Sequence, residues 1–322
     1  MGTNQTAKRP TQRVSKTITN FKLRITNAGL RVRSSLFLCL LFVFSANVFG
    51  QNLENLVEII NRGSIEQKRD ALLQIRNLET AEASRIAVPA LKDSSEIVRA
   101  TAAFSVVFLP KDEAFVALSP LLQDKSALVR RETADALGKV GNPNAVNSLL
   151  QTIQKDKILE VRNAAIVALG EIGEVAAVPE LTKILQRKPT AKEDVRRRSA
   201  ARSIGQIAQI IQTGGTKVIT PENFLSDEFK RIETPKYPNL SEQFPVFRLA
   251  TETLIRVLQN PNEADDTKRE TAFALGAVGD AAATAVLRAN LNAEDYYLRE
   301  ICRESLLKIN RTKIIRQPEK LN

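Results

Sequence analysis

The feature that most constrains this chain is that it repeats itself. Val129-Arg130-Arg131-Glu132-Thr133-Ala134-Asp135-Ala136-Leu137-Gly138-Lys139-Val140-Gly141 aligns without a gap with the segments 161–173 and 267–279. Weaker copies begin at Gln67, Val98, Arg196 and Leu298. The basic residue at the second position is then Lys68, Arg99, Arg130, Arg162, Arg197, Lys268 and Arg299, at spacings of 31, 31, 32, 35, 71 and 31 residues. A fixed period of this length marks a stack of small supersecondary units, none of which buries its apolar face alone.

Each copy reads as two helices. Val161, Ala164, Ala165, Ala168, Leu169 and Ile172 fall on one helical face, and the alanines allow close helix approach. Gly170 relieves a tight helix contact, and Gly173 suits the left-handed residue that ends a helix. A second helix follows over 176–185, with Pro179 in its first turn, where a missing N–H costs nothing. Leu53 to Asn61 reads as a half repeat before the first copy, the last copy ends near Ile309, and 310–322 is a polar tail.

These residues carry a resemblance. The pattern Val-Arg-x-x-Ala-x-x-Ala-Leu-Gly-x-Ile-Gly, followed by Ala-Val-Pro-x-Leu, resembles the HEAT-repeat family in its phycobilisome-lyase-like subtype, over roughly residues 52–309. The resemblance implies an all-α fold: a right-handed α-solenoid of about seven stacked helix pairs, with second helices lining a concave surface. It also implies a ladder of bonds between repeats. Asp93, Asp124 and Asp156 lie six residues before Arg99, Arg130 and Arg162, consistent with charge-assisted bonds, and the later copies lack that Asp.

The 71-residue spacing exceeds one period by about 40 residues. The helix 196–211 has its partner over 246–258, so residues 212–245 are inserted between the two helices of one repeat. The insertion carries Phe224, Phe229, Tyr237 and several prolines. Long loops of this kind serve as binding elements or fold back passively, and both readings stand. The resulting organisation is 1–50, 51–211, 212–245, 246–309 and 310–322.

The first segment reads as an export signal. Residues 1–50 hold eight of the 47 Lys and Arg residues and no acid, followed by the apolar run Leu36–Phe44 and small residues up to Gly50. Cleavage before Gln51 gives a periplasmic or secreted protein. The alternative is a membrane anchor through residues 36–50, which would be the only membrane contact; the run is short beside the roughly 20 residues a spanning helix needs. Without this segment, 39 basic residues face 36 acidic ones, a net of about +3. That near-neutral body argues against nucleic acid as a partner. Cys302 is the only cysteine beyond the signal, so the fold relies on its apolar core.

The chain contains no histidine, which removes imidazole bases and His-containing metal sites. The same absence separates it from the iron-dependent HEAT-repeat hydroxylases, whose ligands include histidines. The acidic group Glu263, Asp265, Asp266 reads as capping of a helix starting near Thr267, and not as a metal site. In Arg196-Arg197-Arg198 with Arg202, Arg197 takes the ladder position and the others are solvated. Cys302 aligns with the core position Ala165.

The sequence therefore reads as an exported, non-enzymatic scaffold without cofactor or metal that binds another protein. The expected contact residues are Asn147, Gln151, Glu180, Lys183, Arg248, Glu252 and Arg256 on second helices, with Phe224, Phe229 and Tyr237 on the insertion. A bilin lyase-like chromophore attachment factor is the enzymatic alternative that the resemblance implies, and nucleic-acid binding is the third reading.

Overall fold

The computed structural model describes residues 53–214 and 238–314, with side chains to 309. The segment expected to be an export signal, most of the insertion with Phe224, Phe229 and Tyr237, and the end of the tail lie outside the described residues. The chain divides into two units, Met1–Glu58 and Ile59–Asn322. Helix α1 occupies residues 53–62; Leu53 and Leu56, in the first unit, are buried.

The second unit is an all-α solenoid, with no strand among the described residues. Its first helices are α2 (Ile65–Leu78), α4 (Glu96–Ser105), α6 (Ala127–Val140), α8 (Leu159–Ile172), α10 (Ala191–Thr213), α13 (Asp265–Val278) and α15 (Tyr296–Ile314). Each packs on the next in that order. The second helices are α3 (Ala81–Ala87), α5 (Lys111–Leu118), α7 (Val146–Lys155), α9 (Val178–Leu185), α12 (Pro245–Gln259) and α14 (Thr284–Ala289), several entered or left through a single 3-10 turn. A four-residue helix, α11 (Leu240–Gln243), precedes α12.

Local chemistry sets the helix ends. Ser64 and Gln67 form a reciprocal capping box at the start of α2: Gln67 N–H donates to Ser64 Oγ at 3.3 Å, and Ser64 N–H donates to Gln67 Oε1 at 2.8 Å. Helices α6, α8 and α13 end at Gly141, Gly173 and Gly279, each in the left-handed conformation with φ of 63°, 85° and 77°.

Small residues decide the spacing between first helices. A Cβ on Gly170 would lie 2.6 Å from Ser203 Oγ and 2.8 Å from Ser203 Cα on α10, too close for any side chain. Ser203 in turn donates to the carbonyl of Ile166 at 2.9 Å, and Ser305 repeats the bond to Ala272 at 2.9 Å. The buried face of α8 holds Val161, Ala164, Ala165, Ala168, Leu169 and Ile172, the stripe that helical spacing predicts. Cys302 is buried in α15, as its alignment with Ala165 predicts.

The fifth copy is longer than its sequence pattern suggests: α10 starts five residues before Arg196 and continues to Thr213. Helix α12 packs directly against α9, so the second-helix row continues past the inserted segment. Gln186 Nε2 donates to Thr253 Oγ1 at 3.5 Å across that contact.

Candidate binding surface

The repeats are tied by charged bonds of regular geometry. Lys68 Nζ donates to Asp93 at 2.7 Å. Arg99 holds Asp124 with two parallel bonds of 2.8 Å from Nε and Nη2, and Arg130 holds Asp156 at 2.6 and 3.0 Å. In each case the cation belongs to one repeat and the acid to the next. The remaining Nη1 of Arg99 and Arg130 donates to the carbonyl six residues upstream, at 2.8 and 2.9 Å. The Arg99 bond holds the Asp124 carboxyl below the usual range. Burial works against ionisation of Asp93 and Asp156, and the Lys68 and Arg130 bonds overcome it, leaving both below that range too.

The ladder extends further than the Asp pattern alone. Arg197 reaches across the insertion to Glu263, and Arg269 bonds Asp295 at 2.6 Å. The sequence reading of Glu263 as part of a capping group is corrected: its carboxylate is buried and committed to Arg197. Asp265 and Asp266 do lie in the first turn of α13. Arg196 is corrected as well, since it is only 5% exposed and pairs with Glu193. Arg198 and Arg202 are part-exposed and pair with Asp266 at 2.9 Å and Glu270 at 3.0 Å. The gapless alignment puts Lys268 in the ladder register, but Arg269, one residue on, takes the rung, so counting along the chain did not single out Glu263.

The expected contact residues fall on three second helices. Asn147 and Gln151 are exposed on α7. On α9, Lys183 is exposed, Glu180 is part-exposed, and Lys183 Nζ donates to Glu180 Oε2 at 3.2 Å. On α12, Arg248, Glu252 and Arg256 are all exposed. Helices α9 and α12 are neighbours, so five of these residues sit on adjoining elements. The four-residue steps on α12 leave Phe247, Ala250, Thr251, Leu254, Val257 and Leu258 for the core. Leu249, 50% exposed, shares the stripe of Glu252 and Arg256 at i, i+3 and i+7 and was missed as a contact residue. Helical spacing alone could have found it.

A second aromatic feature was also missed. Tyr296 and Tyr297 stand edge-to-face with centroids 5.7 Å apart, and both are exposed. Arg269 lies 5.3 Å from the Tyr297 ring centre and Arg299 5.5 Å from that of Tyr296.

Comparison with known proteins fits this geometry. Residues 116–205 match the family described as HEAT repeats, and 267–293 match the PBS lyase HEAT-like repeat. These two stretches carry HEAT repeats. Deoxyhypusine hydroxylase-B of Oryza sativa subsp. japonica is 33% identical over 91 residues, covering 28% of this chain and 30% of the relative. Deoxyhypusine hydroxylase of Arabidopsis thaliana is 34% identical over 91 residues, 28% of this chain and 29% of the relative. The chain thus matches under a third of the length of these curated relatives. The solved complex of CpcE and CpcF of phycocyanin lyase from a Nostoc species overlaps 82% of this chain and 92% of that one, at 18% identity and a TM-score of 0.45.

The hydroxylase relatives correct one expectation, the exclusion of enzymatic function. Both are named as enzymes, and both match this chain over 91 residues. The exclusion rested on the missing histidine. That absence removes imidazole chemistry and leaves carboxylate, lysine and tyrosine chemistry open.

Proposed function

We propose that this HEAT-repeat chain works by holding another protein along the outer stripe of α7, α9 and α12. The observation that carries the reading is the stripe on α12, where exposed Leu249 stands among Arg248, Glu252 and Arg256. A large apolar side chain ringed by charged ones is the composition of a small contact centre with a polar rim. Glu180 and Lys183 on α9 extend the rim, and Asn147 and Gln151 on α7 continue it. The inserted aromatics Phe224, Phe229 and Tyr237 enter the chain just before α12 and complete the proposed contact set.

The proposal includes export. Its support is the basic, acid-free stretch before the apolar run 36–44 and the small residues up to Gly50. The partner is then a protein of the cell envelope or the exterior.

A photo-crosslinking residue placed at 252 in the full chain tests the surface, with the same residue at Val116 as the control position. The expected result is one protein crosslinked from 252, absent from 116, and lost in a Leu249→Asp, Arg256→Glu double variant. Equal crosslinking from both positions, or no loss in the double variant, would sink the reading. N-terminal sequencing of the chain recovered from cells tests export, with Gln51 as the expected first residue. A chain retained in the cytoplasm with its first 50 residues intact would remove that part.

A further inference from the structure

One rung of the ladder is missing, and the gap has the chemistry of a ligand site. At four junctions the acid follows its cation by 25 or 26 residues: Asp93 after Lys68, Asp124 after Arg99, Asp156 after Arg130 and Asp295 after Arg269. Counting 25 residues from Arg162 gives Arg187, a cation where the others have a carboxylate. The Arg162 guanidinium forms no hydrogen bond or ion pair among the described residues, and its Nε is buried without a partner. It also lacks the bond to an upstream carbonyl that Arg99, Arg130 and Arg299 make.

Two more guanidiniums gather around Glu193 on α10, the helix packed against α8. Arg196 and Arg187 both pair with Glu193, Arg187 at 3.9 Å. Burial raises the Glu193 carboxyl, but Arg196 foremost, then Arg187 and Arg162, hold it below the usual range. Asp156 also feels Arg162, but its two oxygens are already committed to Arg130. Two cations therefore share one acid, and Arg162 acts on it only at longer range. Arg196 is 95% buried and its Nε, like that of Arg162, has no partner. Buried donors without acceptors cost about 1–3 kcal/mol each, so an acceptor that reaches them binds favourably. The Arg187 side chain is 55% exposed, which gives its own end of the cluster access to solvent.

We propose that Arg162, Arg187 and Arg196 form an oxyanion site that takes a carboxylate or phosphate group in the place of the missing ladder acid. The forked geometry of a guanidinium suits two oxygens of either group. The site lies at the junction of the fourth and fifth repeats and is independent of the protein-binding surface on the second helices.

The test is thermal unfolding and calorimetric titration of the full chain with succinate and with inorganic phosphate, each against chloride at equal ionic strength. The expected result is a saturable rise in Tm with either oxyanion and none with chloride. Arg187→Asp supplies a tethered carboxylate at the ladder spacing. It should raise Tm without ligand and weaken oxyanion binding by about tenfold or more. Arg162→Gln should weaken binding to a similar extent. Tighter succinate binding identifies a carboxylate ligand and tighter phosphate binding a phosphate ester, and both uphold the site. No saturable shift beyond chloride, or binding retained in either variant, overturns it.

Discussion

Arg197 and Glu263, 66 residues apart, form an ion pair in which both side chains are almost wholly buried, at 2% and 1% exposure. Arg197 Nε donates to Glu263 Oε1 at 3.0 Å, Nη2 donates to the other oxygen, and Nη1 turns to the carbonyls of Leu185 and Arg187. One guanidinium thereby ties the fifth repeat to the sixth across the insertion and closes the loop after α9. Every donor in this arrangement that the bonds use would be stranded if its partner were removed.

Removing Glu263 should therefore cost far more than removing a surface acid. Glu263→Ala leaves a buried guanidinium unpaired, and a loss of about 3–5 kcal/mol is expected. Glu113→Ala breaks a pair with Arg85 in which both side chains are at least two-fifths exposed, and only a small loss is expected. Urea unfolding of the two variants checks the contrast. Equal losses would mean that the buried pair adds no more than the exposed one.

The helix-crossing glycine should tolerate no side chain. Gly170→Ala drives a methyl into the Ser203 backbone, and a loss of about 1–3 kcal/mol is expected from overpacking. Gly214→Ala meets no atom within 4 Å, but its φ of 73° disfavours alanine by about 1 kcal/mol. Chemical denaturation should rank Gly170→Ala as the more damaging.

Asp135 should impose a pH dependence opposite to that of the ladder acids. Burial first, then Glu132 and Glu171, push its carboxyl up from 3.8 to about 6. A group whose pKa is raised on folding binds its proton more tightly in the native state. Its contribution is thus greatest below the unfolded value of 3.8 and is lost as pH rises from there to about 6. The ladder acids, with lowered values, contribute above the unfolded pKa and lose that contribution as pH falls through the folded one. Asp135→Asn should raise stability at pH 7 by about 1 kcal/mol after allowance for solvent screening. It should also flatten the decline between pH 4 and 6, as followed by Tm. An unchanged profile would show that Asp135 titrates normally.

Cys302 should stay unreactive while the protein is folded. Burial, with a smaller effect of Asp295, pushes its thiol up to about 12, so almost no thiolate forms at pH 8. Iodoacetamide labelling mapped by mass spectrometry should find Cys302 unmodified in buffer and modified in urea. Prompt labelling of the folded chain would mean that α15 opens readily.

The sequence by itself determined the repeat, the two-helix unit, the core stripe of α8 and the glycines at helix ends and crossings. All of these follow from periods and φ requirements contained within about 30 residues. The exposed residues of α7, α9 and α12 were legible for the same reason: a helix that commits one stripe to the core presents the opposite one. Only the tertiary structure decided which charges meet. Glu263 reads as a cap beside Asp265 and Asp266 until α10 and α13 stack, and Arg196 reads as solvated until the packing of α10 buries it. The unsatisfied Arg162 becomes visible only against bonds formed at the neighbouring junctions. An ion pair depends on the position of two side chains brought together by helix packing, and a count along the chain specifies the helices without specifying that meeting.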